Sequence, residues 1–436
     1  PAELKSGKIK TGLHSGYDYP GPHQGNFVNN GVITADRHET PKLNEMKHVY
    51  QYIKFSNFNP ATQTLSLTNK YDFTNLDQFT LSYTVLKDGK PVESVQNIAI
   101  PATAPDQSVQ IAAPVKALVA GSEYFITFEV KQKEDTRWAK AGHIVASNQF
   151  CLQERPAILK AVEVSSKAQP LKVEETATAY TISNNVVKMV FDKKSSLLTE
   201  YTYGTMAVLA PNGGFVYDNF RWIENDTNTD KDSKVKDAVP TVKASEDGKS
   251  VVVTASRDAL CPYTLQYTIY ANGTVDVKAT FMPGQEGLRR IGLKALFAEG
   301  LENVSYYARG PWENYSDRKM GSYFGRYETT VSDMQEEYMH PQTSGNREDL
   351  RELVFTNKQH KGIRIETEGQ VGFSLLHHDD VTMSETRHQW DLKPLKETVA
   401  HFDYMQRGVG NGSCGPQTIE KYWCPSSGIY SYTLRI

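Results

Sequence analysis

The chain has 436 residues, which at roughly 150 residues per domain fits about three domains. With 39% hydrophobic and 23% charged residues it has the composition of a folded protein. Its 48 basic and 51 acidic residues leave no cationic surplus for a phosphate backbone, and no apolar run nears the ~18 residues of a membrane span, so neither a nucleic-acid nor a membrane partner is expected.

The chain opens Pro-Ala-Glu-Leu-Lys-Ser-Gly-Lys, without an initiator Met or the apolar core of a signal peptide, as expected of a processed chain or a piece of a longer one. Residues 1–40 are rich in Gly, Pro, His and Asn and read as loops. Leu43, Met46, Tyr50 and Ile53 then recur at helical spacing and predict an amphipathic helix over residues 42–53, with Thr40 as its cap and Pro41 at its first position. Such a helix beside β-modules needs a surface to bury against. Strands follow. Phe79, Leu81, Tyr83 and Val85 alternate, with a turn over residues 87–90, and Tyr124, Ile126, Phe128 and Val130 alternate likewise. Residues 55–153 thus have the length and strand spacing of an immunoglobulin-like sandwich.

Near residues 153–156 the strands pause, and a polar stretch up to Glu175 reads as a linker. Residues 157–436 are strand-rich, with no helix long enough for βαβ units, so a large β-sandwich is expected. Its clearest hairpin joins residues 263–270 to 275–281 through Asn272-Gly273, a pair suited to a two-residue type I′ turn. Further strands are expected at 186–191, 250–255, 362–367 and 429–436. Cys151, Cys261, Cys414 and Cys424 form no CxxC pair and read as free thiols. Sequons at Asn225, Asn272, Asn303, Asn314 and Asn411 read as chance in an Asn- and Thr-rich chain.

No nucleotide loop, HExxH or GxSxG motif occurs. The chemistry-bearing residues gather instead in five clusters. Residues 309–318 (Arg-Gly-Pro-Trp-Glu-Asn-Tyr-Ser-Asp-Arg) fit a sugar site, with aromatic faces on C–H surfaces and carboxylates on hydroxyls. They also fit a loop held by Arg–carboxylate forks, the favoured reading because buried ion networks are common in large β-modules. Residues 338–347, with Asp349 and Arg351, pose the same choice and the same preference. In residues 221–228, Glu224 and Asp226 are conceivable as an acid/base pair, but closeness in sequence is weak support. His377, His378, Asp379, Asp380 and the nearby His388 are conceivable metal ligands. Neighbouring strand residues face opposite ways, however, so solvated loop histidines are expected. The glycine-rich residues 407–416 lack the following helix that a phosphate cradle needs, and read as a shaped loop at a pocket rim.

Taken in order, these clusters resemble the C-terminal part of glycoside hydrolase family 2 β-galactosidases of the large lactose-cleaving type. The anchors are residues 30–37 (Asn-Gly-Val-Ile-Thr-Ala-Asp-Arg) with the following helix, residues 138–143 (Trp-Ala-Lys-Ala-Gly-His), and the clusters at 221–228, 309–318, 341–351 and 408–416. In that family a sugar-binding jelly roll, an immunoglobulin-like domain, a catalytic (β/α)8 barrel, a second immunoglobulin-like domain and a β-supersandwich follow one another. The resemblance implies a mainly β chain. Residues 1–54 would end the barrel, 55–153 would be the second immunoglobulin-like sandwich, and 157–436 the large galactose-mutarotase-like β-supersandwich.

The family retains configuration, with one Glu protonating the leaving oxygen and a second, about 5 Å away, attacking the anomeric carbon. The resemblance puts both, and the magnesium ligands, upstream of Pro1, so no catalytic residue is expected here. It matches the Phe27 carbonyl and the Asn30 side-chain oxygen to ligands of a sodium ion beside the galactose. It puts Cys414 where the family's pocket-rim loop carries a Trp that stacks on the aglycone sugar, a departure that removes the platform behind the lactose preference.

The function implied is that of the C-terminal portion of a retaining β-galactosidase acting on terminal non-reducing β-D-galactose. The chain would be inactive alone and would supply barrel closure, support and a rim loop. Its partners would be a β-galactoside or galactose and the missing barrel-bearing part; an oligomer is conceivable, since a cut barrel would expose apolar surface on the helix. The alternatives are the small subunit of a two-chain β-galactosidase, and a non-catalytic carbohydrate-binding protein using Trp312 or Trp390. Mutarotase activity would require a carboxylate and a His in reach of a sugar ring.

Overall fold

Alternating apolar side chains build two separate cores. The computed structural model describes residues 12, 14, 16–19, 21–24, 31–56, 58–224, 226, 227, 236–410 and 416–436, and the statements below concern these. The first core draws on Ile53 through Ala146. One of its sheets pairs Ile53–Phe55, Thr64–Asn69 and Ser108–Ala112; the other orders Lys90–Ala99, Phe79–Lys87, Tyr124–Gln132 and Ile144–Gln153. Leu65 and Leu67 of one sheet meet Leu81, Tyr83, Ile126 and Phe128 of the other in that core. At the turn after Lys87, Asp88 and Gly89 both have positive φ, 48° and 77°, which matches strand twist in a two-residue loop.

The second core runs from Leu171 to Leu434. Its long antiparallel sheet carries Ser250–Asp258, Tyr263–Tyr270, Val275–Phe281, Tyr430–Arg435, Gly362–Glu368, Glu352–Thr356, Asn303–Gly310 and Tyr323–Thr330 in spatial order. Against it packs a sheet of Val216–Tyr217, Arg290–Phe297, Thr398–Gln406 and Gly372–Leu376. Phe297 and Phe355 meet edge to face between these layers at 4.8 Å, and the Tyr432 hydroxyl donates to the Phe402 carbonyl at 2.6 Å. A further sheet, which includes Val187–Asp192, touches the long sheet where Phe191 meets Tyr267 at 5.1 Å. No helix among the described residues is long and apolar enough to cross a membrane.

Four local expectations are corrected. The helix spans Pro41–Val49, not residues 42–53, because Ile53 is drawn into extended pairing with Asn69 and is buried in the first core. Thr40 stands at the N-cap position, but its hydroxyl donates to the Val32 carbonyl at 2.6 Å and caps nothing. The 263–281 hairpin turns over three residues, Ala271 to Gly273, since the Tyr270 amide bonds the Thr274 carbonyl. Only Gly273 there has positive φ, 91°, so the turn is not type I′. The stretch read as a linker is docked. Lys172–Glu175 pairs with Ala179–Ser183, and the Arg155 guanidinium donates to the carbonyls of Thr367 and Gly369 at 2.9 and 3.1 Å.

Candidate functional site

The clusters at 309–318 and 338–351 close on each other around one buried carboxylate, Glu313. It accepts from the Arg318 guanidinium, from the Tyr338 hydroxyl, from the Tyr315 hydroxyl at 3.2 Å and from the Gly345 amide at 2.8 Å. Beside it, the Asn346 amide donates to the Asn314 carbonyl at 2.8 Å and to Glu348 at 2.9 Å, while the Asn314 side-chain oxygen accepts from the Glu348 amide at 2.9 Å. Arg347 donates to the carbonyls of Gly345, Met334 and Pro311. Four donors on one carboxylate satisfy the charge that burial would otherwise disfavour. Asn314 is fully buried inside this network, so its sequon is closed to a glycan in the folded chain.

The cluster at 221–228 serves the base of the glycine-rich segment. Arg221, wholly buried, pairs with Asp226 and donates to the Arg407 carbonyl and, at 3.5 Å, to that of Gly408. Arg289 holds the other Asp226 oxygen at 2.8 Å. From the opposite side the Asp317 carboxylate accepts the amides of Val409 and Gly410 at 3.0 and 2.8 Å. A Cβ on Gly408 would stand 2.7 Å from the Asp317 carboxyl, so the close approach depends on glycine. Asp226 is committed to two guanidiniums. Glu224 instead meets the His340 ring at 3.1 Å, so the two acids of this segment serve separate partners.

A cleft of about 770 Å³ opens between residues 31–42 and the loops of the second module at 335–342 and 387–388. The helix Pro41–Val49 forms one shoulder. It is tied down by Glu45, which accepts the amides of Met320 and Gly321 at 3.1 and 2.8 Å, and by Gln51, which accepts the Ser147 amide at 3.0 Å. Met46 and Val49 of the helix nevertheless stay out of both cores, 38% and 54% exposed, as does Tyr50 just after it, and Pro41 is the buried residue of the helix. Of the cleft's acids, Asp18 meets His388 at 2.6 Å, Asp36 meets Thr34 and His38, and Glu224 meets His340, while Glu39 and Glu337 are exposed to water. Glu336 is half-buried. Its carboxyl has no hydrogen-bond donor among the described residues, and burial together with the nearby Glu313 charge pushes it up to about 7. Burial also holds Lys42, at the same wall, below the ordinary lysine range.

A second polar network crosses the inner sheet. Arg290 pairs with Asp380 at 2.9 Å and Asp403 at 3.1 Å. The His401 ring meets Asp218 at 3.1 Å, and Lys294 meets Asp379 at 3.0 Å. Burial costs Asp218, but the His401 hydrogen bond and the charges of Lys294 and Arg290 outweigh it and hold the carboxyl well below the usual range. The 377–380 histidine cluster is therefore not solvated. His378 is buried, His377 bonds Glu302 at 2.7 Å and the Glu397 carbonyl at 2.8 Å, and Asp379 caps the short helix Asp380–Glu385. Among the described residues no group of three His, Cys, Asp or Glu is gathered for a metal. Cys151, Cys261 and Cys424 carry free thiols.

Phe27, Asn30 and Cys414, the residues that the resemblance assigns to the site, lie outside the described residues. Trp390 is not a free platform. His388 stacks on it at 4.3 Å and His14 leans against it at 4.7 Å. The reading of the sequence missed Asp317 as a loop anchor, Glu336 as an unpartnered acid and His401 as a network member. The paired acids Glu336-Glu337 beside the 338–347 cluster were the available signal for the second. Nothing local marks the other two, because their partners are distant in sequence.

The sequence that builds these two β-modules matches two known families. The model described as "Beta galactosidase small chain" matches residues 183–436, and "Beta-galactosidase, domain 4" matches residues 65–153. The chain belongs to the beta-galactosidase small chain family. It is 27% identical to a beta-galactosidase of Priestia megaterium over 95% of this chain and 41% of that one. It is 25% identical to a beta-galactosidase of Alteromonas mediterranea over 94% and 42%. The chain thus spans about two fifths of the length of these curated relatives. Among solved structures, a putative aldose 1-epimerase from Escherichia coli is 10% identical, with 59% of this chain and 97% of that one covered at a TM-score of 0.33, too low to carry an argument.

Proposed function

We propose that the chain is the C-terminal portion of a family 2 β-galactosidase that hydrolyses terminal non-reducing β-D-galactose with retention, its two catalytic glutamates lying outside this sequence. The observation that carries this is the pairing of a small-chain family match with a helical segment, residues 41–51, tied to both β-modules yet leaving Met46, Val49 and Tyr50 exposed. An amphipathic helix held in that state fits the closing element of a barrel whose other units are elsewhere. On this reading residues 1–54 end the barrel, 55–153 form an immunoglobulin-like support and 157–436 the supersandwich. The carbonyl of Phe27 and the side-chain oxygen of Asn30 are donors suited to a hard cation such as sodium. Magnesium would be held upstream. Cys414 would stand at the rim near the leaving-group sugar.

The chain alone is expected to leave a nitrophenyl galactoside intact, and addition of a separately expressed barrel-bearing segment is expected to restore turnover. Turnover by the purified chain alone, or none after mixing with a folded partner that binds it, would refute the reading. The small-chain description of the matched family also favours a second reading, a natural subunit of a two-chain enzyme. Chain lengths in the native protein, read by mass spectrometry, separate the two.

A further inference from the structure

A second cleft, of about 670 Å³, opens where the two β-modules meet, and its volume lies within the range of small-molecule sites. Guanidiniums of Arg155, Arg309 and Arg351 line it. Three carboxylates line it as well, and two of them are spent. Glu123 takes Arg351 at 3.0 Å and the Tyr307 hydroxyl at 2.5 Å, and Asp349 takes Arg309 at 2.7 Å and Lys319 at 3.3 Å. The third, Glu154, is exposed to water and pairs with no cation among the described residues.

Arg155 is the cation left over. Half-buried, it donates to the carbonyls of Thr367 and Gly369 at 2.9 and 3.1 Å, and it meets no carboxylate among the described residues. Carbonyl oxygens accept hydrogen bonds but bring no countercharge. Burial and the neighbouring Arg351 charge outweigh Glu123 and Asp349 and bring the Arg155 guanidinium down to about 10. It is still a cation at neutral pH, and a half-buried cation without a counterion is unfavourable. The other titratable groups of the lining add no charge. Burial holds the His48 imidazole below its ordinary range, and burial with the charges of Glu123 and Glu154 holds the Cys151 thiol above its own. The side-chain amides of Asn148 and Gln370 line the same cleft, with no acceptor for their NH2 groups among the described residues.

We propose that this cleft is a site for a small oxyanion, a phosphate or a carboxylate, with Arg155 as its charged ligand. The planar guanidinium presents paired donors that match two oxygens of either group, which a point-like ammonium does not. Phe125 and Asn148 line the cleft from one module and Phe324 and Gln370 from the other, so a bound anion lies between them and braces the join. The inference is independent of the β-galactosidase reading, and its failure leaves that reading untouched.

The test titrates the full chain with inorganic phosphate and with acetate, against sodium chloride at matched ionic strength to remove screening. The melting temperature is expected to rise saturably with phosphate or acetate and not with chloride. Cys151 is an exposed thiol in the lining, so its alkylation by a neutral reagent, read on its own peptide by mass spectrometry, is expected to slow with the same half-saturation. The anion that saturates at the lower concentration tells a phosphoryl ligand from a carboxylate. Arg155→Met is expected to raise the half-saturation concentration about tenfold or more, the value of a lost charge-assisted hydrogen bond. Arg155→Lys, which keeps the charge without the fork, is expected to fall between. Should Arg155→Met not fold, protection of Cys151 in the wild-type chain still decides. No protection by either anion overturns the inference, as does a melting temperature that climbs linearly with phosphate, the mark of exclusion from the surface. Half-saturation unchanged in Arg155→Lys and Arg155→Met overturns it as well.

Discussion

Tyr307 and Glu123 meet across the join between the two sandwiches, the phenol hydroxyl donating to the buried carboxylate at 2.5 Å. Arg351 completes the join, reaching both oxygens of Glu123 at 3.0 to 3.3 Å. Phe125 and Phe324 stack beside it at 4.3 Å. Gln149 adds two bonds to the backbone of Phe324, at 2.7 and 2.9 Å. The modules are therefore cemented by a desolvated ion pair and an aromatic stack, and they should unfold together.

Glu123→Ala strands the Arg351 guanidinium and the Tyr307 hydroxyl at that join. Removing one member of a buried pair costs roughly 3 kcal/mol or more. The expected outcome in urea is an earlier first transition and a split of one unfolding step into two. A single transition at the wild-type midpoint would show that the join carries little of the stability.

The Glu313 hub has a larger stake in the shape of the cleft wall, because it binds residues 315, 318, 338 and 345 at once. Glu313→Ala leaves a buried Arg318 unpaired and should cost roughly 3–5 kcal/mol, measured by denaturant midpoint. Arg318→Met together with Glu313→Leu removes both charges and should recover much of that loss.

How much of this was legible in the sequence depends on the range of the interaction. Strands whose apolar period is local, such as Tyr124–Gln132 and Val275–Phe281, stand where alternation put them. The end of the first helix was misplaced because Ile53 answers to a partner across the sheet, Asn69, and not to its own helical period. The clusters at 309–318 and 338–351 were visible as dense polar runs, and the favoured reading of Arg–carboxylate forks fits what is seen. That they form one network was not visible, since Glu313 finds Gly345 only after the sheet brings the loops together. The same holds for Asp317 with Val409 and for Glu123 with Arg351. Residues that bond across the fold leave no periodic trace.

Gly292 illustrates such a cross-strand demand. The pairing of Arg290–Phe297 with Thr398–Gln406 slips by one residue between Ile291 and Gly292, which turns the Asp403 carboxylate inward. A Cβ at position 292 would lie 2.0 Å from an Asp403 oxygen. Gly292→Ala should therefore destabilise by roughly 1–3 kcal/mol, through displacement of the carboxylate that pairs with Arg290. Gly284→Ala, at a position with open space around its Cβ, is the control and should change the melting temperature little.

Stability should also fall as pH rises toward neutrality, through Glu348. Burial, opposed only in part by Lys319 and the Asn346 hydrogen bond, pushes its carboxyl up to about 7 from an ordinary 4.5. The folded state thus holds a proton that the unfolded chain releases. The contribution is fully present below about pH 4.5 and is lost as pH rises through about 7, with a total on the order of 3 kcal/mol. Asp218 acts in the opposite sense, since its depressed carboxyl loses stabilisation only as pH falls below the usual carboxylate range. Glu348→Gln keeps an uncharged side chain at all pH values and should flatten the decline between pH 5 and 7. Denaturant midpoints across that window decide the matter, and an unaltered slope in the variant would remove Glu348 as the cause.

The exposed apolar residues at the end of the Pro41–Val49 helix make a different kind of demand. Met46 and Val49 are 38% and 54% exposed, and Tyr50, just after the helix, is 73% exposed, apolar surface that water disfavours. If the upstream segment of a barrel is its occupant, charges placed there should leave the chain's own stability alone and damage only the docking. Val49→Glu with Tyr50→Glu is expected to keep the wild-type melting temperature of the chain and to lower its concentration-dependent light scattering. The same pair should weaken recovery of galactosidase activity on mixing with the barrel-bearing segment by tenfold or more, the equivalent of about 1.4 kcal/mol in docking. A fall in melting temperature would instead mean that these residues already contribute to the folded chain. Undiminished recovery would mean that the barrel closes against another face.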